Sequence, residues 1–348
     1  MNQPLASSLT NSRLEQQRDW LDLHNPFELV SRVASMYYLE EKSQIEIAKA
    51  LGLSRQKIQR LLQQAKDQHI VEIHVHAVPI LHIELERKLK EIFGLQDVVI
   101  APFHPDENYR RSSVARAAAD YLERNLKDGS VVAVGLGRST SLTADFFRPA
   151  RQYDATFVSA MGGSPSLSAS INPSEICLKL ASRIGRKAEI LYAPAYLETR
   201  RAHDMLIEQE TVKRTMDLAR NADIALMGIG TASDESILVQ AGCLSLSEAR
   251  RLREMGVVGE LLGNYYNEQG QLAQSDLNGR MISLSLDDLR KIPLTIAAAC
   301  EMEKSRGVLG ALRTKAIRTL IVECRLAVEV LRLVGAIDTK EEQNLLTL

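Results

Sequence analysis

From Asp97 onward, short apolar runs of β type alternate with helical segments, and this alternation limits the possible folds more than any other feature of the chain. The runs are Val98–Ala101, Val131–Val134, Ala155–Ala160, Glu189–Tyr192, Ile224–Gly228, Thr295–Ala299 and Thr319–Val322. Helical stretches follow at about 112–126, 141–147, 173–184 and 211–219, and again after each of the last two runs. The pattern predicts a mostly parallel sheet with helices on both faces. Val257–Leu284, with turn signals at 267–270 and at Asn278-Gly279, reads as an antiparallel excursion.

Open parallel sheets bind ligands at the carboxyl ends of their strands, so the loops after the runs are the candidate site. Gly135-Leu136-Gly137-Arg138-Ser139-Thr140 follows one strand and opens a helix. Its glycines let backbone approach an anion, Ser139 and Thr140 offer hydroxyls at a helix start, and Arg138 adds charge. The third glycine of the dinucleotide fingerprint is missing, and so is the Gly-Lys-Ser/Thr of a Walker loop. A phosphate cradle and a bare strand-to-helix turn would both use these glycines. Met161-Gly162-Gly163-Ser164, Met227–Thr231 and Cys300–Lys304 are the other permissive loops, with Lys304 as a second cation. Glu301 and Glu303 could be acid–base groups, but paired carboxylates at a helix start also favour the helix dipole. No Ser/His/Asp set, metal motif or Cys/His pairing is recoverable, so no catalytic residue, metal or cofactor is expected.

The stretch Ser43–Leu62 is of another kind. Ser43 and Glu46 form a capping box, Gly52 supplies a tight turn, and Ser54 caps a second helix. Ile47, Ala48, Leu51, Leu53, Ile58, Leu61 and Leu62 turn inward. Arg55, Gln56, Lys57, Gln59 and Arg60 are left outward, with Ser54 at the helix start. A helical hairpin with a solvated face could look similar. The spacing of Ala48, Gly52 and Ile58 nevertheless fits a helix-turn-helix, and cations with amides suit DNA edges and phosphates. The helix Phe27–Leu39, begun by Asn25-Pro26, would support it. A short helix over 13–24 and a wing over 69–76 are also expected. His74, His76 and His82 could share a metal or form the polar face of that wing; the second reading is adopted.

The 348-residue chain has a formal net charge of −1, so DNA affinity must come from a local basic face. Between Ser54 and Ile70 four cations face one carboxylate, a balance of +3, which suits a compact reader used as a dimer. The four cysteines are far apart, which argues against a zinc ribbon or disulfide scaffold. With no signal peptide and no membrane-spanning apolar run, a cytoplasmic location is expected.

These residues together resemble the SorC, or sorbitol-operon-regulator, family of bacterial transcription factors, related to the DeoR group. The resemblance spans Phe27 to Leu333. It rests on Ser43–Leu62, Asp223–Gly230, Val258–Gly263, Leu277–Arg280 and Asp288–Pro293. It implies an α/β chain with an N-terminal winged-helix-like helix-turn-helix and an effector domain resembling sugar-phosphate isomerases. It also implies double-stranded operator DNA, a phosphorylated sugar or polyol effector, and a homodimer or homotetramer with no membrane. The expected organisation is a tail over 1–25, a DNA-binding domain over 26–78, a linker helix over 79–96, an effector domain over 97–335 and a tail over 336–348. The resemblance places the phosphate loop on Gly137, Arg138, Ser139 and Thr140, and further effector contacts on Glu260 and Lys304; Gly163 joins them from the second glycine loop. Cys300-Glu301 stands where the family has Gly-Gly. Two rivals remain: a sugar-phosphate-processing enzyme with an accessory DNA-binding domain, and a structural protein whose N-terminal helices bind protein.

Overall fold

The computed structural model describes residues 26–68, 70–71 and 82–337. The chain divides into two units, Met1–Ala77 and Val78–Leu348. The expected 13–24 helix, most of the wing, and His74 and His76 lie outside the described residues. So do the side chains of Pro26 and Ala169.

Among its described residues the smaller unit holds three helices: α1 (Pro26–Tyr38), α2 (Gln44–Leu51) and α3 (Arg55–Asp67). Each boundary has a local cause. Ser43 Oγ accepts the Glu46 N–H at 3.3 Å, while the Glu46 carboxylate accepts the Ser43 N–H at 2.8 Å. Gly52 ends α2 at φ 64°, and Ser54 Oγ accepts the Lys57 N–H at 3.2 Å to start α3. Val30, Val33, Ala34, Met36, Ile47, Ile58, Leu61, Leu62 and Ala65 form the core, and Leu53 packs against it at the turn.

The larger unit is built on a six-stranded parallel sheet. Its strands are β1 (Asp97–Ala101), β2 (Val131–Val134), β3 (Thr156–Ser159), β4 (Ile224–Gly228), β7 (Leu294–Ala299) and β8 (Thr319–Glu323). They lie in the order β1-β8-β7-β4-β2-β3. Successive side chains enter opposite cores: Leu320 and Val322 join one apolar cluster, Ile321 the other. Burial on both faces explains the near-continuous apolar strands. The preceding helix α4 (Ile83–Phe93) sends Leu85, Leu89 and Phe93 into the first of these clusters. Its start at His82 is buried, and burial lowers that imidazole's pKa.

Several expected boundaries move. The helix expected from 112 starts at Glu107 (α5, Glu107–Asn125), because Asp106 caps it by accepting the Tyr109 N–H at 2.9 Å. The helix expected from 141 starts at Arg138 (α6, Arg138–Phe146). Glu189–Tyr192 forms no strand; only single parallel bridges, Val158–Glu189 and Gly163–Pro194, line the outer side of β3. Pro194 has no N–H with which to extend a ladder. The antiparallel excursion is the hairpin β5 (Val257–Leu261) and β6 (Asn264–Asn267). Its reversal falls at Leu262-Gly263, both with positive φ, upstream of the expected turn. The 267–270 segment makes a second turn, in which Asn267 Oδ1 accepts the N–H groups of Gln269 and Gln271.

Candidate functional site

In the sheet, β2 lies between β3 and β4. The chain leaves β2 toward the β3 edge but leaves β4 toward β7 and β8. Connections that part in this way open a crevice at the carboxyl ends of the two strands. A cleft of about 520 Å³ lies there, a volume suited to a small metabolite. Its lining comes from Gly137–Ser139 after β2, Gly228–Thr231 after β4, Glu260 and Leu262 of the hairpin, and Glu301, Glu303 and Lys304 after β7. Glu107 and Arg111 of α5 close another side.

Gly137 precedes α6 at φ 133°, a conformation that strains any residue with a Cβ. It precedes the first-turn N–H groups of α6, which have no acceptor within the helix. Arg138 is exposed there, and Ser139 is buried but lines the wall. The hairpin is fastened opposite: Gly230 and Glu260 exchange backbone N–H···O bonds, both 3.1 Å. Glu260 is buried and accepts the Gly263 N–H at 2.7 Å. Burial pushes its carboxyl pKa up, against the pull of that N–H and of Lys304.

A Cβ at Gly230 would lie 1.7 Å from Glu260 Oε1, so Gly230 is what allows the carboxylate to stand where it does. Gly230→Ala should displace Glu260 and destabilise the larger unit by about 1–3 kcal/mol. Urea unfolding measures this; an unchanged midpoint would show that Glu260 moves aside freely.

Glu301 accepts Arg111 Nη2 at 3.0 Å and lies 2.9 Å from Lys304 Nζ. Arg111 also pairs with Glu107. Burial alone would raise the Glu301 pKa, but Lys304 and Arg111 outweigh it and hold the carboxyl at about 2. A carboxylate lowered from 4.5 stabilises the fold above pH 4.5, and that stability is lost as pH falls toward 2. The amount is about 3 kcal/mol. The stability–pH curve of Glu301→Gln should therefore be flatter than wild type across that window; parallel curves would remove the ion pair from the account.

In the smaller unit, Ser54, Arg55, Gln56, Lys57, Gln59 and Arg60 are all exposed on one side of α3, opposite its buried residues. Among the described residues no carboxylate pairs with Arg55, Lys57 or Arg60.

Comparison with known proteins gives the family. Residues 79–332 match the family described as "Putative sugar-binding domain". A solved structure described as the "Putative Sugar-Binding Domain of Transcriptional Repressor" from Vibrio fischeri is 36% identical, covering 73% of this chain and 99% of that one, with a TM-score of 0.68. The full-length sorbitol operon regulator SorC from Klebsiella pneumoniae is 25% identical, covers 86% of this chain and 97% of its own, and has a TM-score of 0.66. The chain belongs to the SorC family of sugar-binding transcriptional regulators. The erythritol catabolism regulatory protein EryD of Brucella abortus is 28% identical over 303 residues, 86% of this chain and 95% of that protein.

On this SorC-type framework the cleft brings together Gly137, Arg138, Ser139, Glu260 and Lys304. Thr140 stands behind the wall, fully buried, with its hydroxyl donating to Leu136 O at 3.4 Å. Gly163 borders a separate cleft of about 400 Å³ with Asn172 and Tyr192. Arg111 escaped the sequence reading: its partner Glu301 is 190 positions away, and nothing local marks it as buried. Among the described residues no His, Cys, Asp and Glu cluster could hold a metal, and no helix is long and apolar enough to cross a membrane.

Proposed function

We propose that this SorC-family protein regulates a carbohydrate or polyol catabolic operon in the cytoplasm, as a homodimer or homotetramer. Its α3 helix reads double-stranded operator DNA, and a phosphorylated sugar or polyol bound in the large cleft changes operator affinity. The observation that carries the reading is the opening of α6 into the switch-point cleft, with Gly137 at positive φ, Arg138 and Ser139 on the wall. Unpaired helix N–H groups beside an arginine form a receptor for a phosphate. The printed names of relatives, an erythritol catabolism regulator and a sorbitol operon regulator, support a polyol or sugar as the rest of the ligand. Ligand and operator would be coupled by about 1–3 kcal/mol.

An enzyme would need an acid–base group poised near neutral pH. Glu301, held at about 2, does not suit that task, whereas buried Glu260, with its pKa raised, is the group in the cleft an enzyme would use, so the turnover arm of the following test decides between the two. The test is a thermal-shift screen of phosphorylated sugars and polyols, followed by operator binding with each hit. A ligand at a hundred times its Kd should stabilise by about 2.7 kcal/mol. A hit that leaves operator affinity unchanged, or that is consumed, would overturn the reading.

A further inference from the structure

We propose that Glu301 sets the chemical class of the effector. Its carboxylate occupies Arg111 and Lys304, so the cleft takes a sugar or polyol with one phosphate, presents hydroxyl groups to Glu301, and rejects a ligand carrying a second anion at that end. This rests on the phosphate reading of Gly137–Ser139 and goes beyond it.

The Glu301 side chain is only 6% exposed, yet it lines the cleft. Its Oε1 accepts Arg111 Nε at 3.3 Å and Nη2 at 3.0 Å. Its Oε2 lies 2.9 Å from Lys304 Nζ, so both carboxylate oxygens are held by cations. An ionised carboxylate only accepts, so a hydroxyl fits and a phosphate or carboxylate does not.

The surrounding charges agree. Arg111 and Lys304 are already engaged by Glu301, so a second anion would have to win them from a carboxylate already in place. Glu260, buried on the hairpin, adds further acidic character to the same cleft. Arg138 is the remaining cation of the lining; among the described residues no carboxylate pairs with it. The phosphate therefore has one well-matched place, at the start of α6, and the hydroxylated part of the ligand extends toward Glu301.

Calorimetry on the full chain tests this with five probes: fructose phosphate, fructose bisphosphate, sorbitol phosphate, phosphogluconate and free sorbitol. Wild type should bind at least one monophosphate, and bind it about a hundredfold more tightly than its doubly anionic counterpart. Glu301→Gln, which removes the charge but keeps the shape, should shrink that ratio about tenfold. Equal affinities in wild type, or an unaltered ratio in the variant, overturns the proposal. Should Glu301→Gln fail to fold, the wild-type ratio decides, with Glu301→Asp as the second variant. Asp keeps the charge while withdrawing it, and should weaken the monophosphate and still exclude the second anion. If free sorbitol binds and no phosphorylated probe does, the phosphate reading falls alone. Glu301 is then judged on sorbitol, whose affinity should drop about tenfold in Glu301→Gln. Binding by none of the five overturns both.

Discussion

Operator binding should be lost, by on the order of a thousandfold or more, when Arg55, Gln56, Lys57, Gln59 and Arg60 are changed together to alanine. All five are exposed on α3, and the residues that hold this helix in place, Ile58, Leu61, Leu62 and Ala65, are untouched. Alanine is the best helix former, so the variant should fold. Each bidentate base contact is worth about 1–3 kcal/mol, and each phosphate contact adds to the salt dependence. Single substitutions should separate the two: a base reader relaxes preference at one position, whereas a phosphate contact weakens all sequences alike and lowers the salt slope by about 1. Fluorescence anisotropy at several salt concentrations gives both. Footprinting should show related half-sites about 34–36 Å apart or at a multiple of that spacing, because one small module with this modest charge binds weakly alone. Full affinity in the fivefold variant would mean that another surface reads the DNA.

What could be read from sequence was local, and what could not was tertiary. The capping box of Ser43 and Glu46, the turn at Gly52 and the cap at Ser54 each involve groups within about one helical turn, so residue type and spacing define them. The parallel strands were equally visible, because burial on both faces leaves almost no polar position in them. The hairpin turn was not. Leu262 takes φ 51° although leucine has no preference for it, while Asn267 and Gly270 downstream carry the stronger turn signal. Thr140 illustrates the phase of a helix: α6 begins three residues earlier than the periodicity suggests, and the Thr140 side chain is fully buried. Glu301 was visible as a departure from the family pattern. Its ionised state depends on Lys304, three residues on, and on Arg111, which no local pattern links to it.

Ser139→Asp should abolish the response to a phosphorylated effector while sparing operator binding by the unliganded protein. Ser139 is the second residue of α6 and lines the cleft, whereas Thr140 is sealed behind it. An acidic residue in the first turn of a helix interacts favourably with the helix dipole, by about 0.3–1 kcal/mol, which offsets part of the cost of a carboxylate at this buried position, and unchanged operator binding by the unliganded variant checks that it folds. The same N–H groups that would hold the phosphate would then hold the aspartate. The ligand would have to displace a covalently attached rival and meet its charge, which should cost about two orders of magnitude in affinity. Ser139→Ala removes only a hydroxyl and should cost about tenfold at most. The order Asp far below Ala, and Ala slightly below wild type, is the signature of an anion site rather than of a serine needed for packing. Thermal shift with the active sugar phosphate, repeated with the matching unphosphorylated sugar, reads it directly. If Ser139→Asp still responds normally to the phosphorylated ligand, the phosphate lies elsewhere and the opening of α6 is only a strand-to-helix turn.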